Sequence, residues 1–224
     1  MEAARVTMAD FVGLFDLDDT LVRRRETFGR WAAEFADDHG VPLEWLLKTD
    51  LAYSSRRVEF FELAKAAFGL KPPVSELHAQ YRRRMPELVE PDPQVCATLA
   101  RLRAAGWRLG VVTNGMVDNQ TNKLHRAGLY DLVDTVVISD AVEIRKPDAR
   151  IFRHAITSLG AEPGPHVVMV GDSLESDIAG AQRAGLTTVW VSHGRPLPDV
   201  EARPHHIIQT VTEAAAVLME MKTG

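Results

Sequence analysis

The chain lacks the features that mark disulfide-bonded, membrane-spanning and strongly basic proteins. It has one cysteine among 224 residues, which excludes an intramolecular disulfide. It has no apolar run as long as a transmembrane helix, so we expect no membrane partner. Its 26 Lys and Arg residues are outnumbered by 31 Asp and Glu residues, which gives a net charge of -5. Nucleic-acid-binding domains are usually basic, so we also expect no nucleic-acid partner.

The first ten residues lack the apolar stretch of a signal peptide, so we expect a cytoplasmic protein. The single cysteine, Cys96, lies in the apolar helical stretch 95–99. This setting predicts a buried, inert thiol rather than a nucleophile. His205 and His206 lead into a predicted edge strand far from the other polar motifs. A surface role is favoured for this pair, because a metal site needs more converging ligands.

Apolar strand patterns and amphipathic helix patterns alternate from Trp107 onward. The strand-like runs are β-branched and apolar throughout, which is typical of parallel strands covered by helices on both faces. They occupy 108–112, 135–138, 166–170 and 188–191, and 11–15 forms an earlier run. Asp92, Asp148 and Thr210 provide helix start signals between or after them. This alternation predicts an α/β fold with a Rossmann-like, doubly wound parallel sheet.

Residues 22–90 interrupt the alternation. Three helical faces are visible there, at 28–36, 58–68 and 74–85, and paired prolines at 72–73 separate the second from the third. The pattern predicts a small all-helical insert between the first and second strands of the sheet.

Two aspartates follow the first predicted strand directly. In the run Asp16-Leu17-Asp18, strand-like alternation turns both carboxylates to the same side. Like charges held close together raise one pKa unless a cation intervenes. The pair therefore favours a metal-assisted site, with one carboxylate as nucleophile and the second as general acid and base.

Three further polar groups follow strands or open a helix. They are Thr113-Asn114-Gly115, Lys146 before a proline, and Gly171-Asp172 with Asp177 downstream. In open α/β sheets, ligands bind beyond the carboxyl ends of the strands, so we expect these groups to meet Asp16 and Asp18.

Together these groups predict a phosphoryl-transfer site. Carboxylates of Asp16, Asp172 and Asp177 are the hard oxygen ligands that Mg2+ prefers. The Thr113 hydroxyl and the amides of Asn114 and Gly115 are expected to hold phosphate oxygens, and Lys146 to add positive charge there. Each group alone is also typical of a turn, a helix cap or a solvated surface. Their occurrence as a set, in this order, favours a site.

With these residues the chain resembles the haloacid dehalogenase superfamily, in the branch with a helical cap inserted after the first motif. The resemblance covers about 11–193 and rests on Asp16-Leu17-Asp18-Asp19-Thr20, Thr113-Asn114-Gly115, Lys146-Pro147 and Gly171-Asp172-Ser173 with Asp177. It implies a catalytic core at 1–21 and 91–224 and a helical cap domain at 22–90. These motifs are specific to the superfamily and say little about the substrate.

The resemblance also implies a role for each matching residue. Asp16 would attack phosphorus and form an aspartyl-phosphate, and Asp18 would be the general acid and base. The backbone carbonyl of Asp18 and the side chains of Asp16 and Asp172 would bind Mg2+, with Asp177 helping through water or a lysine. Thr113 would hold the transferring phosphoryl group, and Lys146 would orient Asp16.

Asp18 narrows the activity within the superfamily. Dehalogenase members lack an acid at this place, so its presence favours a phosphatase or a phosphomutase. A non-catalytic phosphate-binding or regulatory module is a further alternative, which the complete motif set disfavours. Small phosphorylated metabolites are the expected substrates: sugar phosphates, phosphoglycolate-type acids or nucleoside monophosphates. The sequence leaves the choice among them and the oligomeric state open.

Arginines of the insert are candidates for contacting the rest of the substrate. Arg23, Arg24 and Arg25 are favoured, because the hinge that leads into the insert keeps them near Asp16. Two other arginine groups, at 56–57 and 82–84, are also available. For any single arginine, a solvated helix face is the commoner explanation.

Overall fold

The computed structural model describes residues 11–54 and 56–223. The first ten residues, over which we expect no export signal, lie outside the described residues. Six parallel strands form one sheet in the order β3-β2-β1-β4-β5-β6. The strands are β1 Val12–Phe15, β2 Arg108–Thr113, β3 Thr135–Ile138, β4 Val167–Gly171, β5 Thr187–Val191 and β6 His206–Ile208. The predicted Rossmann-like, doubly wound parallel sheet is confirmed.

Helices separate most of these strands and follow the last one. Within 11–54 and 56–223 they are α1 Arg24–His39, α2 Leu43–Tyr53, α3 Arg57–Phe68, α4 Val74–Glu87, α5 Pro93–Ala104, α6 Val117–Arg126, α7 Ser139–Val142, α8 Ala149–Ser158, α9 Gly180–Arg183 and α10 Ala214–Thr223. Single helical turns occupy Tyr130–Leu132, Leu174–Ala179 and Val211–Glu213.

The sheet is buried on both faces, which explains its continuous apolar strands. In β4, Val168 and Val170 pack into one cluster with residues of α5, α6 and α10. Val167 and Met169 turn to the opposite face and pack with residues of α8 and α9. Successive side chains of a strand point to opposite faces, so a strand covered on both sides is apolar at every position.

The predicted helix starts at Asp92, Asp148 and Thr210 are confirmed. The Asp92 side chain accepts a hydrogen bond from the backbone of Gln94, and Asp148 accepts one from Arg150. Thr210 forms a reciprocal capping box with Glu213. Each cap satisfies a backbone N–H that the first helical turn leaves unpaired.

Four helices, α1 to α4, fill the interruption between β1 and β2, where the pattern showed three helical faces. Their shared core is rich in aromatic side chains: Phe28, Trp31, Phe35, Phe60, Phe61 and Tyr81. Helix α2 went unpredicted because three of its leucines face solvent, and Leu51 is 74% exposed. The division of the chain into a cap and a core is still a prediction.

The face predicted at 58–68, in α3, is confirmed in part. The predicted stripe included Phe61 and Ala64, which are buried. It also included Val58 and Leu63, but they are 48% and 40% exposed, and Phe60 is buried in their place. The two adjacent phenylalanines decide the orientation because together they bury far more apolar area than Val58 and Leu63 could.

None of the described helices combines the length and apolar character needed to cross a bilayer.

Candidate active site

Three carboxylates converge where the strand order of the sheet reverses, between β1 and β4. Asp16 follows β1, Asp172 follows β4, and Asp177 lies in the turn Leu174–Ala179. One carboxylate oxygen of each lies within 4.8 Å of the others. A reversal of strand order opens a crevice at the carboxyl ends of the strands, so parallel topology alone brings Asp16 and Asp172 together.

A glycine at the end of β4 makes room for Asp177. A Cβ atom on Gly171 would lie 2.3 Å from Oδ2 of Asp177, a distance that no real contact allows. Oδ2 also accepts a hydrogen bond from the Ser173 backbone N–H at 3.0 Å. Gly171 therefore allows the buried Asp177 side chain to fold back over the strand end.

Lys146 joins two of these carboxylates. Its Nζ lies 2.5 Å from Oδ1 of Asp16 and 2.7 Å from Oδ1 of Asp177. Burial disfavours its charge, but the two carboxylates outweigh burial and raise the pKa of Lys146 above its usual value. Lys146 thus offers one positive charge to two carboxylates, whereas Asp172 lies near Arg195 and Arg25, at 3.4 and 3.8 Å.

Burial and mutual repulsion raise the pKa values of two of these acids. Burial raises the pKa of Asp16 well above its usual value, with Asp177 and Asp172 adding to the rise and Lys146 opposing it. Burial, Asp177 and Asp19 raise the pKa of Asp172 to about 7. Convergent carboxylate oxygens whose pKa values are raised by burial and mutual repulsion fit a hard divalent cation such as Mg2+.

The end of β2 and the loop after it line a cavity together with Asp16 and Asp172. Thr113 is buried, and its Oγ1 accepts a hydrogen bond from Nε2 of Gln120 at 2.6 Å. The Asn114 side chain clamps Lys146, accepting from its backbone N–H at 2.9 Å and donating to its carbonyl at 3.0 Å. Asn114 therefore positions the segment that carries Lys146, a role that its sequence position did not suggest.

Gly115 has backbone contacts that the sequence did not predict. Its N–H donates to Oγ of Ser139 at 3.0 Å, and its expected contact with a phosphate oxygen is still a prediction. Its φ of 155° is rarely adopted by other residues, and a Cβ there would lie 2.8 Å from Cγ of Gln120. Glycine is required at this position by backbone conformation and by the close approach of Gln120.

Asp18 has two partners that sequence reasoning missed. Nζ of Lys123 lies 2.7 and 2.8 Å from its two carboxylate oxygens, and Nε2 of Gln120 lies 3.1 Å from Oδ2. Burial favours the neutral acid, but Lys123 outweighs burial with help from Arg24 and Gln120, so the pKa of Asp18 is lowered. Asp18 is ionised in this arrangement.

Both partners lie on α6, and the sequence of this helix gave a weak indication that polar side chains face inward. Val117 and Leu124 are its only apolar residues, although the helix packs against the sheet. Gln120 and Lys123 are three residues apart and therefore share a face, and both are buried. Because α6 has so few apolar residues, the face that it turns toward the site must carry polar side chains.

The three candidate arginines go to different places. Arg24 and Arg25 line the main cavity, of about 770 Å3, together with Asp16 and Asp18. Arg23 does not line this cavity; its side chain is 67% exposed and lies 2.9 Å from Asp92. The structure thus brings two of the three arginines to the cavity and leaves the third on the surface.

Arg195 also reaches the site, although no role was predicted for it. Its Nη2 donates to the carbonyl of Asp172 at 3.0 Å and lies 3.4 Å from Oδ2 of the same residue. Nε1 of Trp190 donates to that carbonyl at 2.9 Å. These bonds hold the backbone of Asp172 in place at the end of β4.

The other polar candidates lie outside the cavity. Cys96 is partly buried, and burial raises the pKa of its thiol, which disfavours the reactive thiolate. Nδ1 of His205 bonds to the backbone N–H of Thr188, and His206 is exposed. Within the described part of the chain, the one cluster with metal-ligand geometry is that of Asp16, Asp172 and Asp177.

Comparison with known proteins gives a consistent result. A sequence model described as haloacid dehalogenase-like hydrolase matches residues 13–191. A glyceraldehyde 3-phosphate phosphatase from Methanopyrus kandleri is 33% identical, over 90% of this chain and 97% of its own. A phosphoserine phosphatase from Thermus thermophilus is 40% identical, over 58% of this chain and 51% of its own.

A solved structure shares the fold. YfnB from Bacillus subtilis, solved bound to magnesium, aligns with a TM-score of 0.80 at 23% identity, over 93% of this chain and 98% of its own. At this level of identity the likeness concerns the fold alone.

Proposed function

The chain belongs to the haloacid dehalogenase-like hydrolase family, and we propose that it is a Mg2+-dependent phosphatase acting on a small phosphate monoester. The single observation that carries the proposal is the buried cluster of Asp16, Asp172 and Asp177 with Lys146 bridging two of them. It joins a carboxylate nucleophile to ligands suited to a metal ion, in a cavity large enough for a small metabolite. Activity in the cytoplasm is still a prediction.

Asp16 performs the first step in this proposal. One of its carboxylate oxygens attacks phosphorus, the bond from phosphorus to the leaving oxygen breaks, and an aspartyl-phosphate forms. Lys146 holds the attacking carboxylate in place from 2.5 Å. The Thr113 hydroxyl, at the end of β2, is placed to hold an oxygen of the transferring group.

Mg2+ would be held by Asp16 and Asp172, with Asp177 and the Asp18 carbonyl as further candidates. It would neutralise phosphate charge and offset the repulsion among the carboxylates.

Asp18 moves the protons. It gives a proton to the leaving alkoxide in the first step, then takes one from the water that attacks the aspartyl-phosphate, which releases phosphate and restores Asp16. Lys123 keeps Asp18 ionised before substrate arrives. A phosphate dianion beside Asp18 raises its pKa by repulsion, which favours the protonated form that the first step requires.

We also propose that α1 to α4 act as a cap. Residues of these helices line the same cavity as Asp16 and Asp18. A cap in this position excludes water from the first step and contacts the part of the substrate that varies between phosphate esters.

A phosphate-release assay over a broad panel of phosphate monoesters tests the proposed function. We expect release that requires Mg2+ and is lost when the metal is chelated. Asp172→Asn replaces a charged ligand by a neutral one, so about 10-fold or more Mg2+ is expected for half-maximal activity. Calorimetric titration of Mg2+ gives the same comparison without substrate.

Three results would count against this assignment. Release that is insensitive to chelation would remove the metal from the proposal. Activity that depends strictly on a sugar bisphosphate would favour a phosphomutase. No release and no phosphoenzyme with any substrate would favour a non-catalytic phosphate-binding module.

Lys123 is expected to set the acidic limit of activity. In Lys123→Met, the lysine charge no longer opposes the effect of burial on Asp18. The pKa of Asp18 therefore rises, and its carboxylate becomes protonated at a higher pH than in the wild type. With p-nitrophenyl phosphate, whose leaving group needs no proton, Asp18 acts only as a base. The acidic limb of the kcat–pH profile should then move upward, with about 10-fold lost at a given acidic pH for each pKa unit. The control is Lys123→Arg, which keeps the charge. An acidic limb at the same pH in both variants would contradict this role.

A further inference from the structure

The cavity wall contributed by α1 to α4 and the adjoining loop carries more positive than negative charge. Five arginines line the cavity there, and two acids accompany them. The arginines are Arg24, Arg25, Arg56, Arg57 and Arg82, and the acids are Asp50 and Glu59. A leaving group under this wall would meet an excess of cations.

Two of these arginines are buried around a single carboxylate. Arg24 reaches Asp50 through Nη1 at 2.9 Å and Nη2 at 2.5 Å. Nη2 of Arg57 lies 2.7 Å from Oδ1 of the same residue. The exposed fractions of the Arg24, Arg57 and Asp50 side chains are 11%, 8% and 5%. Two buried guanidinium groups that share one carboxylate retain a net positive charge, which is costly away from water unless an anion joins them.

Arg57 is held rigidly and is incompletely satisfied. Its guanidinium lies 5.1, 4.9 and 4.8 Å from the ring centres of Phe28, Phe60 and Tyr81. Its Nη2 donates to Asp50 and to the carbonyl of Ser54, whereas Nη1 is buried without a hydrogen-bond partner among the described residues. Arg57 lines the cavity, and its guanidinium has hydrogen-bonding capacity that the described residues leave unused.

The arginine pair is close to the groups that act on the leaving oxygen. Burial opposes the charge of Arg24, but Asp50, Tyr81 and Asp18 favour it, and the pKa of Arg24 is raised. Arg24 lies within electrostatic reach of Asp18, Tyr81 and Asp50, and all four residues line the cavity. Because Asp18 acts on the leaving oxygen in the proposed mechanism, a leaving group bound near Asp18 is within reach of this positive charge.

We propose that Arg57, Arg24 and Tyr81 form a second anion subsite, which selects phosphate monoesters whose leaving group carries a further carboxylate or phosphate. The subsite rests on the proposed phosphatase function and names its substrate class. Planar guanidinium groups bind both anions through paired hydrogen bonds, so the shared requirement is a negative charge at the far end of the substrate. The added anion balances the positive charge of Arg24 and Arg57 around Asp50.

Matched substrates test the subsite on the Mg2+-loaded protein. The carboxylate arm compares 3-phosphoglycerate with glycerol 3-phosphate, which has an alcohol in place of the acid. The phosphate arm compares propane-1,3-diol bisphosphate with the corresponding monophosphate. In at least one pair, we expect the substrate with the second anionic group to have a kcat/KM about 10-fold higher or more. Hydrogen bonds to charged groups contribute about that factor or more.

Arg57→Gln should lower that preference by about 10-fold, mainly through a higher KM for the anionic substrate. Tyr81→Phe keeps the packed ring and removes only the hydroxyl, so this variant tests the subsite if Arg57→Gln does not fold. We expect it to lower the preference by a smaller factor. Arg84→Gln is the matched control, because Arg84 pairs with Glu34 outside the cavity and its loss should leave the preference unchanged.

The outcomes separate the subsite from the proposed function. A wild-type protein that hydrolyses both members of each pair equally overturns the subsite and leaves the phosphatase intact. A preference that survives in Arg57→Gln and Tyr81→Phe also overturns it and makes Arg57 a brace between helices. If no substrate releases phosphate, the proposed function fails. Calorimetry with 3-phosphoglycerate and glycerol 3-phosphate then decides the subsite, which equal affinities would refute.

Discussion

Asp16→Asn is expected to abolish phosphate release, with kcat lowered by about 10,000-fold or more. The amide cannot attack phosphorus, so no aspartyl-phosphate forms. Lys146, whose Nζ lies 2.5 Å from Oδ1 of Asp16, then has no attacking carboxylate to orient. The measurement is single-turnover acid quenching with a 32P-labelled monoester, in which label should remain on the wild-type protein and be absent from the variant.

A matched control separates loss of the nucleophile from a general effect of the substitution. Asp148 caps α8 and does not line the cavity, so Asp148→Asn removes a carboxylate of the same kind away from the proposed chemistry. We expect kcat in this variant to stay within about threefold of wild type, with some loss of stability from the weakened cap. Label retained on Asp16→Asn, or kcat close to normal, would contradict the nucleophilic role.

Asp18→Asn is expected to lower kcat by about 100- to 10,000-fold, the range typical of general acid–base catalysis. Asparagine can neither protonate a leaving alkoxide nor accept a proton from water. The change also leaves Lys123, only 5% exposed, without the carboxylate that it contacts at 2.7 Å. Circular dichroism should therefore accompany the kinetics, because an unpaired buried ammonium destabilises the fold.

The leaving group distinguishes the two steps that Asp18 serves. A p-nitrophenolate leaves without a proton, so Asp18→Asn should still form the phosphoenzyme from p-nitrophenyl phosphate and then stall before hydrolysis. The expected observation is a burst of p-nitrophenol close to one equivalent per enzyme, followed by a slow steady state. With an alkyl phosphate both steps should be slow. A normal steady state with either substrate would exclude Asp18 as the acid and base.

Much of the sheet could be predicted because each strand carries its own signal. The predicted runs agree with the observed strands to within one residue at each end, as at 135–138, where the bounds coincide with β3. A strand buried on both faces is apolar at every position, and this pattern needs no knowledge of the neighbouring strands. Helix α2 escaped prediction because its leucines are largely exposed and its pattern has no clear buried stripe.

The carboxylate cluster was also accessible from the sequence, for a topological reason. Asp16 and Asp172 each follow a strand, and parallel strands bring their carboxyl ends to the same edge of the sheet. Once β1 and β4 are neighbours, the two carboxylates must meet. Residue type and position at a strand end were sufficient, without any knowledge of how the helices pack.

Other site residues depend on how helices pack and could not be predicted in this way. Lys123 meets Asp18 across 105 positions of the chain, and Arg57 meets Asp50 through the packing of α2 against α3. A helix shows in its sequence which residues share a face, but its tertiary contacts decide what that face meets. The sequence by itself determined the parallel sheet and the acids at its strand ends, because both follow from local pattern and chain order. Only the tertiary structure decided the ion pair of Asp18 and the positive wall of the cavity, since both depend on the orientation of whole helices.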